Sequence, residues 1–156
     1  MKYVKYAIIT IFLTLFNFNI QSQNPLTFIE KYNDMALNLT KQYHIPTSII
    51  LAISIHESGS GTSKLSKNKH NFFGIKKGKG YRGYENDSES FEDFCKLVSK
   101  KKYYNSLTEN NVMDYKIWVK KISSGGYSES KTWSTKVLYY INKYKLDELD
   151  KQGSLD

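Results

Sequence analysis

The residues best placed to do chemistry are gathered in "LAISIHESGSGTSKLSKNKHNFFGIK", Leu51 to Lys76, where an apolar run ends on a glutamate and is followed at once by glycines and serines. Ile49, Ile53 and Glu57 are four residues apart, so on one helix Glu57 shares a side with the two isoleucines. A carboxyl at the edge of an apolar face loses water, and the partial negative charge of a helix C-terminus repels an anion, so both favour the neutral acid. A carboxylic acid that keeps its proton near neutral pH is what glycoside hydrolysis needs to protonate a departing sugar oxygen. On periodicity alone, Glu57 reads more simply as a solvated charge at a helix end, where glutamates usually sit.

Other reactive side chains point less clearly to chemistry. His44, His56 and His70 fit no zinc spacing: His56 and Glu57 are adjacent, but the second histidine of H-E-x-x-H is missing. No metal and no cofactor are expected. The single cysteine, Cys95, excludes an intrachain disulfide, and its neighbours Phe91, Phe94 and Val98 make it a small core residue rather than a nucleophile.

The elements that must position Glu57 are helical. Asn24 and Pro25 open a helix whose inward face is Phe28, Tyr32, Met35, Ala36 and Leu39. A second starts near Pro46, carries Ile49, Ile50, Ala52, Ile53 and Glu57, and stops at Gly59. A third opens near Ser88 with Phe91, Phe94, Cys95 and Val98 inward. A fourth places Val112, Tyr115, Val119 and Ile122 on one stripe, and a fifth places Trp133, Val137, Ile141 and Tyr144 on another. Between the second and third, "GIKKGKGYRGYEND" has four glycines and no helical period, which predicts a loop or a very short hairpin. The terminal "KQGSLD" reads as a frayed tail.

At 156 residues, with aromatics at 15%, the chain suits one globular domain rather than a disordered one. Residues 1–22 differ: Lys2 and Lys5 precede the uncharged "AIITIFLTLF", which passes into a polar stretch. This predicts an export signal cleaved after Ser22, leaving residues 23–156 as the domain. The apolar run is short for a membrane span, so no stable span is expected once the signal is removed. The expected location is the periplasm, cell envelope or extracellular space. Loss of Lys2 and Lys5 lowers the formal net charge from +8 to +6. A basic exported protein suits anionic partners, but no basic helix or zinc-finger spacing points to nucleic acid. A monomer is expected.

The surrounding residues make a more specific pattern. "ESGSG", then "SKLS", then "NFFGIK" resembles the glucosaminidase family of peptidoglycan hydrolases, glycoside hydrolase family 73, whose pattern runs E-S-G-x-G, S-x-L-A, N-L-F-G-I-K. Glu57, Ser58, Gly59, Gly61, Ser63, Leu65, Asn71, Phe73, Gly74, Ile75 and Lys76 carry the match. "YRGYENDSESFEDF" extends it through Arg82, Tyr84, Glu89, Ser90, Phe91 and Asp93, and "GGYSESKTWSTKV" through Gly126, Tyr127 and Lys136, with Trp133 where a tyrosine is usual.

The resemblance implies an α+β fold, predominantly helical and lysozyme-like, with a strongly reduced β-lobe. It implies hydrolysis of the bond from N-acetylglucosamine to N-acetylmuramic acid in peptidoglycan glycan strands. Glu57 would be the general acid, and Tyr127 would sit near the reacting sugar, bonding its N-acetyl group or an incoming water. Asn71, Phe72, Phe73, Tyr81 and Tyr84 would bind substrate along the groove. The family's second acid usually lies on the β-lobe, which here is reduced to "KKGKG" with no carboxylate. Glu85 is the nearest substitute. The gap favours a substrate-assisted reaction, in which the sugar's own acetamido group attacks the anomeric carbon. It also leaves open a wall-binding protein with weak or no turnover. A muramidase or lytic transglycosylase of similar fold is a further alternative.

Overall fold

The computed structural model describes residues 24–153; the expected export signal lies outside the described residues. Helix α1 runs over Pro25–Tyr43, where the Asn24 side chain accepts the Leu26 N–H and Pro25 occupies the first turn. The expected inward residues Phe28, Tyr32, Ala36 and Leu39 are buried, and Met35 is half-buried.

Helix α2, Thr47–Ser58, differs from a one-faced surface helix. Every residue from Thr47 to Ile55 is buried, because α1, α6 (Tyr115–Ser124), α7 (Trp133–Tyr144) and α8 (Asp147–Gly153) pack around it. Helix α4, Asp87–Ser99, starts one residue before the expected position and buries Phe91, Phe94, Cys95 and Val98 as expected. Its N-terminus is closed by Asn86, whose side chain accepts the Glu89 N–H. In α6 the buried residues are Trp118, Val119 and Ile122. Val112 precedes the helix, and its carbonyl accepts the Trp118 indole N–H at 2.7 Å. Helix α7 buries Trp133, Val137 and Ile141.

Three short helices were not legible from periodicity: α3 (Lys64–Lys69), α5 (Lys102–Thr108) and α8. Each spans two turns or fewer, too short for a repeated apolar stripe. The expected frayed tail is shorter than read, since Lys151–Gly153 belong to α8. The glycine-rich stretch forms the very short hairpin, β1 (Lys76–Lys77) against β2 (Gly80–Tyr81), antiparallel with Lys76 opposite Tyr81. Gly78, at φ 59°, opens its turn. The fold is therefore α+β and mostly helical, with the β-lobe reduced to two residues per strand.

One tie closes the wrap around α2. Its N-cap residue, Pro46, offers no side-chain acceptor, and Asp150 of α8 takes that role: Oδ1 accepts the Ser48 N–H at 2.8 Å and Oδ2 accepts the Ser48 hydroxyl at 2.6 Å. Burial raises the Asp150 carboxyl from the ordinary 3.8 to about 6, with the bonds from Ser48 opposing the rise. Folding thus tightens proton binding at this group. Its stabilising contribution is full below the ordinary value and is lost as pH climbs through about 6. Relative to Asp150→Asn, the wild type should lose on the order of 3 kcal/mol of unfolding free energy between about pH 4 and about pH 7, measured by urea melts. Equal losses in both proteins would count against the assignment.

Candidate active site

Glu57 is the penultimate residue of α2, and the chain leaves the helix abruptly after it. Gly59 adopts the left-handed conformation at φ 58°, and its N–H bonds the Ile55 carbonyl. The buried Ser58 hydroxyl donates to the Ser54 carbonyl and accepts the Gly61 N–H, and the Thr62 hydroxyl donates to the Gly59 carbonyl. The Gly-Ser-Gly turn is thereby pinned under the end of the helix. Glu57 itself is left half-buried.

Two other segments close on that carboxyl. Trp133, at the start of α7 and 1% exposed, donates its indole N–H to Glu57 Oε1 at 2.8 Å. Oε2 makes no hydrogen bond among the described residues and lies over Gly74: a Cβ on Gly74 would stand 3.7 Å from it. Gly74 sits at φ 65°, so another residue there would be strained, while its Cβ would meet the acid only at ordinary contact distance. Asn71 holds the Gly74 segment in place. Its Nδ2 donates to the Ile75 and Arg82 carbonyls, both at 2.8 Å, while its Oδ1 accepts the Ile75 and Phe73 N–H groups.

The loop between α6 and α7 completes the arrangement. A Cβ on Gly125 would meet Tyr103 at 2.7 Å, so only glycine lets the loop leave α6 this close to that ring. The Tyr127 hydroxyl donates to the Phe73 carbonyl at 3.1 Å, its ring stands edge-on to Phe94, and it lies 5.3 Å from the Trp133 ring. Burial, and then the negative charge of Glu57, pushes the Tyr127 phenol well above its ordinary range, so it stays neutral.

Together these segments border a groove of about 700 Å³. Glu57, Phe73, Gly74 and Tyr127 line one part; Lys76, Tyr81 and Arg82 of the hairpin, Lys101 and Tyr103 after α4, and Glu129 of the α6–α7 loop line the rest. Aromatic surface, hydrogen-bonding groups and a half-buried carboxyl in one groove suit binding and protonation of a carbohydrate.

The residues expected to bind substrate separate into two groups. Tyr81, 50% exposed, and Tyr127 line the groove, and Phe73 contributes to it while stacking on Phe94 at 4.3 Å. Asn71 and Phe72 do not line it. Asn71 is 1% exposed with both ends of its amide bound to backbone, and Phe72 packs among Phe28, Tyr32 and Phe91. Tyr84 turns to a separate polar depression, donating to Asp93 at 2.7 Å beside Arg82. Glu85 is exposed outside the groove, where its backbone N–H donates to Glu89 at the N-terminus of α4.

Cys95 is buried, and burial holds its thiol well above the ordinary range, as a core residue requires. Among the described residues no cluster of side chains could hold a metal ion. His56, beside Glu57, is lowered by burial, and its ring faces Tyr140. Sequence reasoning placed Trp133 on an inward stripe but missed its bond to Glu57, and it missed Glu129 as a groove residue. The only signals were a tryptophan in an expected tyrosine position and the acid within "GYSES".

The pattern of the glucosaminidase family, described as mannosyl-glycoprotein endo-beta-N-acetylglucosaminidase, matches residues 33–146. The chain belongs to the glucosaminidase family. The exo-glucosaminidase LytG of Bacillus subtilis (strain 168) is 30% identical over 151 residues, covering 79% of this chain and 52% of that protein. The protein bax of Escherichia coli (strain K12) is 29% identical over 109 residues, covering 63% and 40%. The chain thus spans about half the length of the curated relatives it matches. The catalytic domain of the autolysin Auto from Listeria monocytogenes superposes with a TM-score of 0.69 at 25% identity, over 81% of this chain and 87% of that one. A peptidoglycan hydrolase from Sphingomonas sp. A1 shares the fold, with a TM-score of 0.65 at 19% identity over 83% and 95%. Within this glucosaminidase fold, the acid, its indole partner and the glycine beneath it come from three separate segments.

Two substitutions test the geometry. Trp133→Phe removes the bond to Glu57 and should lower turnover about 10- to 100-fold, the worth of a hydrogen bond to an ionisable group, with circular dichroism unchanged. Asn71→Ala should cost about 2–4 kcal/mol in denaturant melts by orphaning backbone groups of the hairpin base. A loss of substrate affinity at full stability would instead make Asn71 a binding residue.

Proposed function

We propose that this protein is an exported peptidoglycan hydrolase, an endo-β-N-acetylglucosaminidase that cleaves the bond from N-acetylglucosamine to N-acetylmuramic acid with Glu57 as general acid. The observation that carries this reading is the state of one carboxyl: Oε1 is held by the Trp133 indole while Oε2 is unbonded above Gly74 in a groove. A fixed carboxyl with one oxygen available is the geometry for handing a proton to a leaving oxygen.

The other groove residues supply binding. Tyr81 offers an exposed aromatic face for the apolar side of a sugar ring. The Tyr127 hydrogen is committed to the Phe73 carbonyl, so its oxygen faces substrate as an acceptor for an acetamido N–H. Lys76 and Lys101 give the groove cations for the carboxylates of muramic acid and stem peptides. The acting species is a monomer working at the cell wall, and among the described residues no helix is long and apolar enough to cross a membrane.

Mass spectrometry of a digest of purified sacculi tests the assignment. New N-acetylglucosamine reducing ends over a range of chain lengths are expected. A single short product would mean exo action; muramic acid ends would indicate a muramidase, and anhydro ends a transglycosylase. Co-sedimentation without new ends would leave a binding protein. Glu57→Gln should reduce release of those ends by about 100-fold or more, the worth of a positioned acid, and retained activity would reject the role.

A further inference from the structure

The β-lobe carries lysines and Tyr81 but no acid, so a reaction in which water attacks with the help of a base draws its second carboxylate from elsewhere in the groove. Among the described residues, two carboxyl side chains line it, Glu57 and Glu129. We propose that Glu129, on the loop between α6 and α7, is the second catalytic carboxylate and acts as general base on the attacking water. This rests on the glycosidase reading above.

Three observations support the assignment. First, the loop is anchored to the acid it would work with. Tyr127, two residues before Glu129, donates to the Phe73 carbonyl beside Gly74, and Trp133, four residues after it, donates to Glu57 itself. Secondly, the loop is folded locally around residue 129: the Ser130 N–H donates to the Ser128 hydroxyl, and the Trp133 N–H to the Ser130 carbonyl. Thirdly, Glu129 is uncommitted. It makes no hydrogen bond or ion pair among the described residues, whereas the acids of nearby α4 are engaged: Asp93 with Arg82 and Tyr84, Glu92 with Lys96, and Glu89 with the Glu85 N–H. An exposed carboxylate bordering the groove, with no structural partner, is free to take a proton from water.

The step balances without a co-reactant beyond water. Glu57 gives its proton to the glycosidic oxygen as the bond from that oxygen to the anomeric carbon breaks. Water adds to that carbon from the opposite face and passes a proton to Glu129. Glu57 ends ionised and Glu129 protonated, and exchange with solvent restores both. Attack by water on the far face inverts the configuration, so a β-linkage yields an α-anomeric N-acetylglucosamine end. This arrangement replaces the substrate-assisted route, which was favoured only while the groove lacked a second carboxylate and which would give the β-anomer.

The test uses the full chain acting on purified sacculi and on soluble glycan fragments. Proton NMR at early times should show new N-acetylglucosamine ends in the α configuration. Glu129→Gln should lower kcat roughly 100-fold or more, with co-sedimentation on sacculi and melting temperature unchanged. Glu129→Ala should regain turnover with added azide, which needs no base, and accumulate the α-glycosyl azide. A Glu129→Gln enzyme within about threefold of wild type, less than loss of a catalytic base costs, overturns the proposal, as do β-anomeric first products. An inactive Glu57→Gln enzyme beside an active Glu129→Gln enzyme would leave the glucosaminidase reading standing and remove only this inference. A wild type that releases no N-acetylglucosamine ends would remove both.

Discussion

The structure depends on a carboxyl kept at the wet end of a helix that is otherwise dry all round. Ile49, Ile50, Leu51, Ile53 and Ile55 have no exposed surface, and each buried side chain of this kind contributes about 1.5–3 kcal/mol, an upper figure because the unfolded chain already hides some apolar area. That burial holds α2 rigidly, and Glu57 is where the dry segment meets the groove. The Trp133 indole then fixes one carboxyl oxygen, so α7 both covers the central helix and aims its last acid. Packing and site geometry are carried by the same contacts.

Reduction of the β-lobe shifts work to loops. With two residues per strand, the hairpin cannot stabilise itself, and Asn71 ties its base instead, bonding backbone groups of Phe73, Ile75 and Arg82. The α6–α7 loop reaches the same base through the Tyr127 hydroxyl. The groove is therefore walled by two loops bonded to each other rather than by a broad sheet. Asp87, at the start of α4, accepts from Tyr32 and Lys31 of α1 and meets His70 at the end of α3, so one carboxylate joins three helices beneath the lobe.

Much of this was legible in the sequence because it rests on local rules. Asn24, Pro25 and Gly59 mark helix ends by capping chemistry, and Phe91, Phe94, Cys95 and Val98 mark an inward face by period. The short helices α3, α5 and α8 escaped that reading because two turns hold too few residues to display a period. Asp150 escaped it because a carboxylate that caps another helix is 102 residues from its partner, with nothing local to distinguish it from a surface acid.

The same division runs through the site. By itself the sequence determined that Glu57 ends an apolar helix, that glycine follows it, and that Gly74 and Tyr127 stand in a matching pattern, since spacing and backbone preference are properties of neighbouring residues. The tertiary structure alone decided that Trp133 grips Glu57, that Asn71 and Phe72 support rather than line the groove, and that Glu129 borders it. Those facts depend on which segments distant in the chain are brought together, and burial of α2 brings them there by requiring other helices to cover each of its sides.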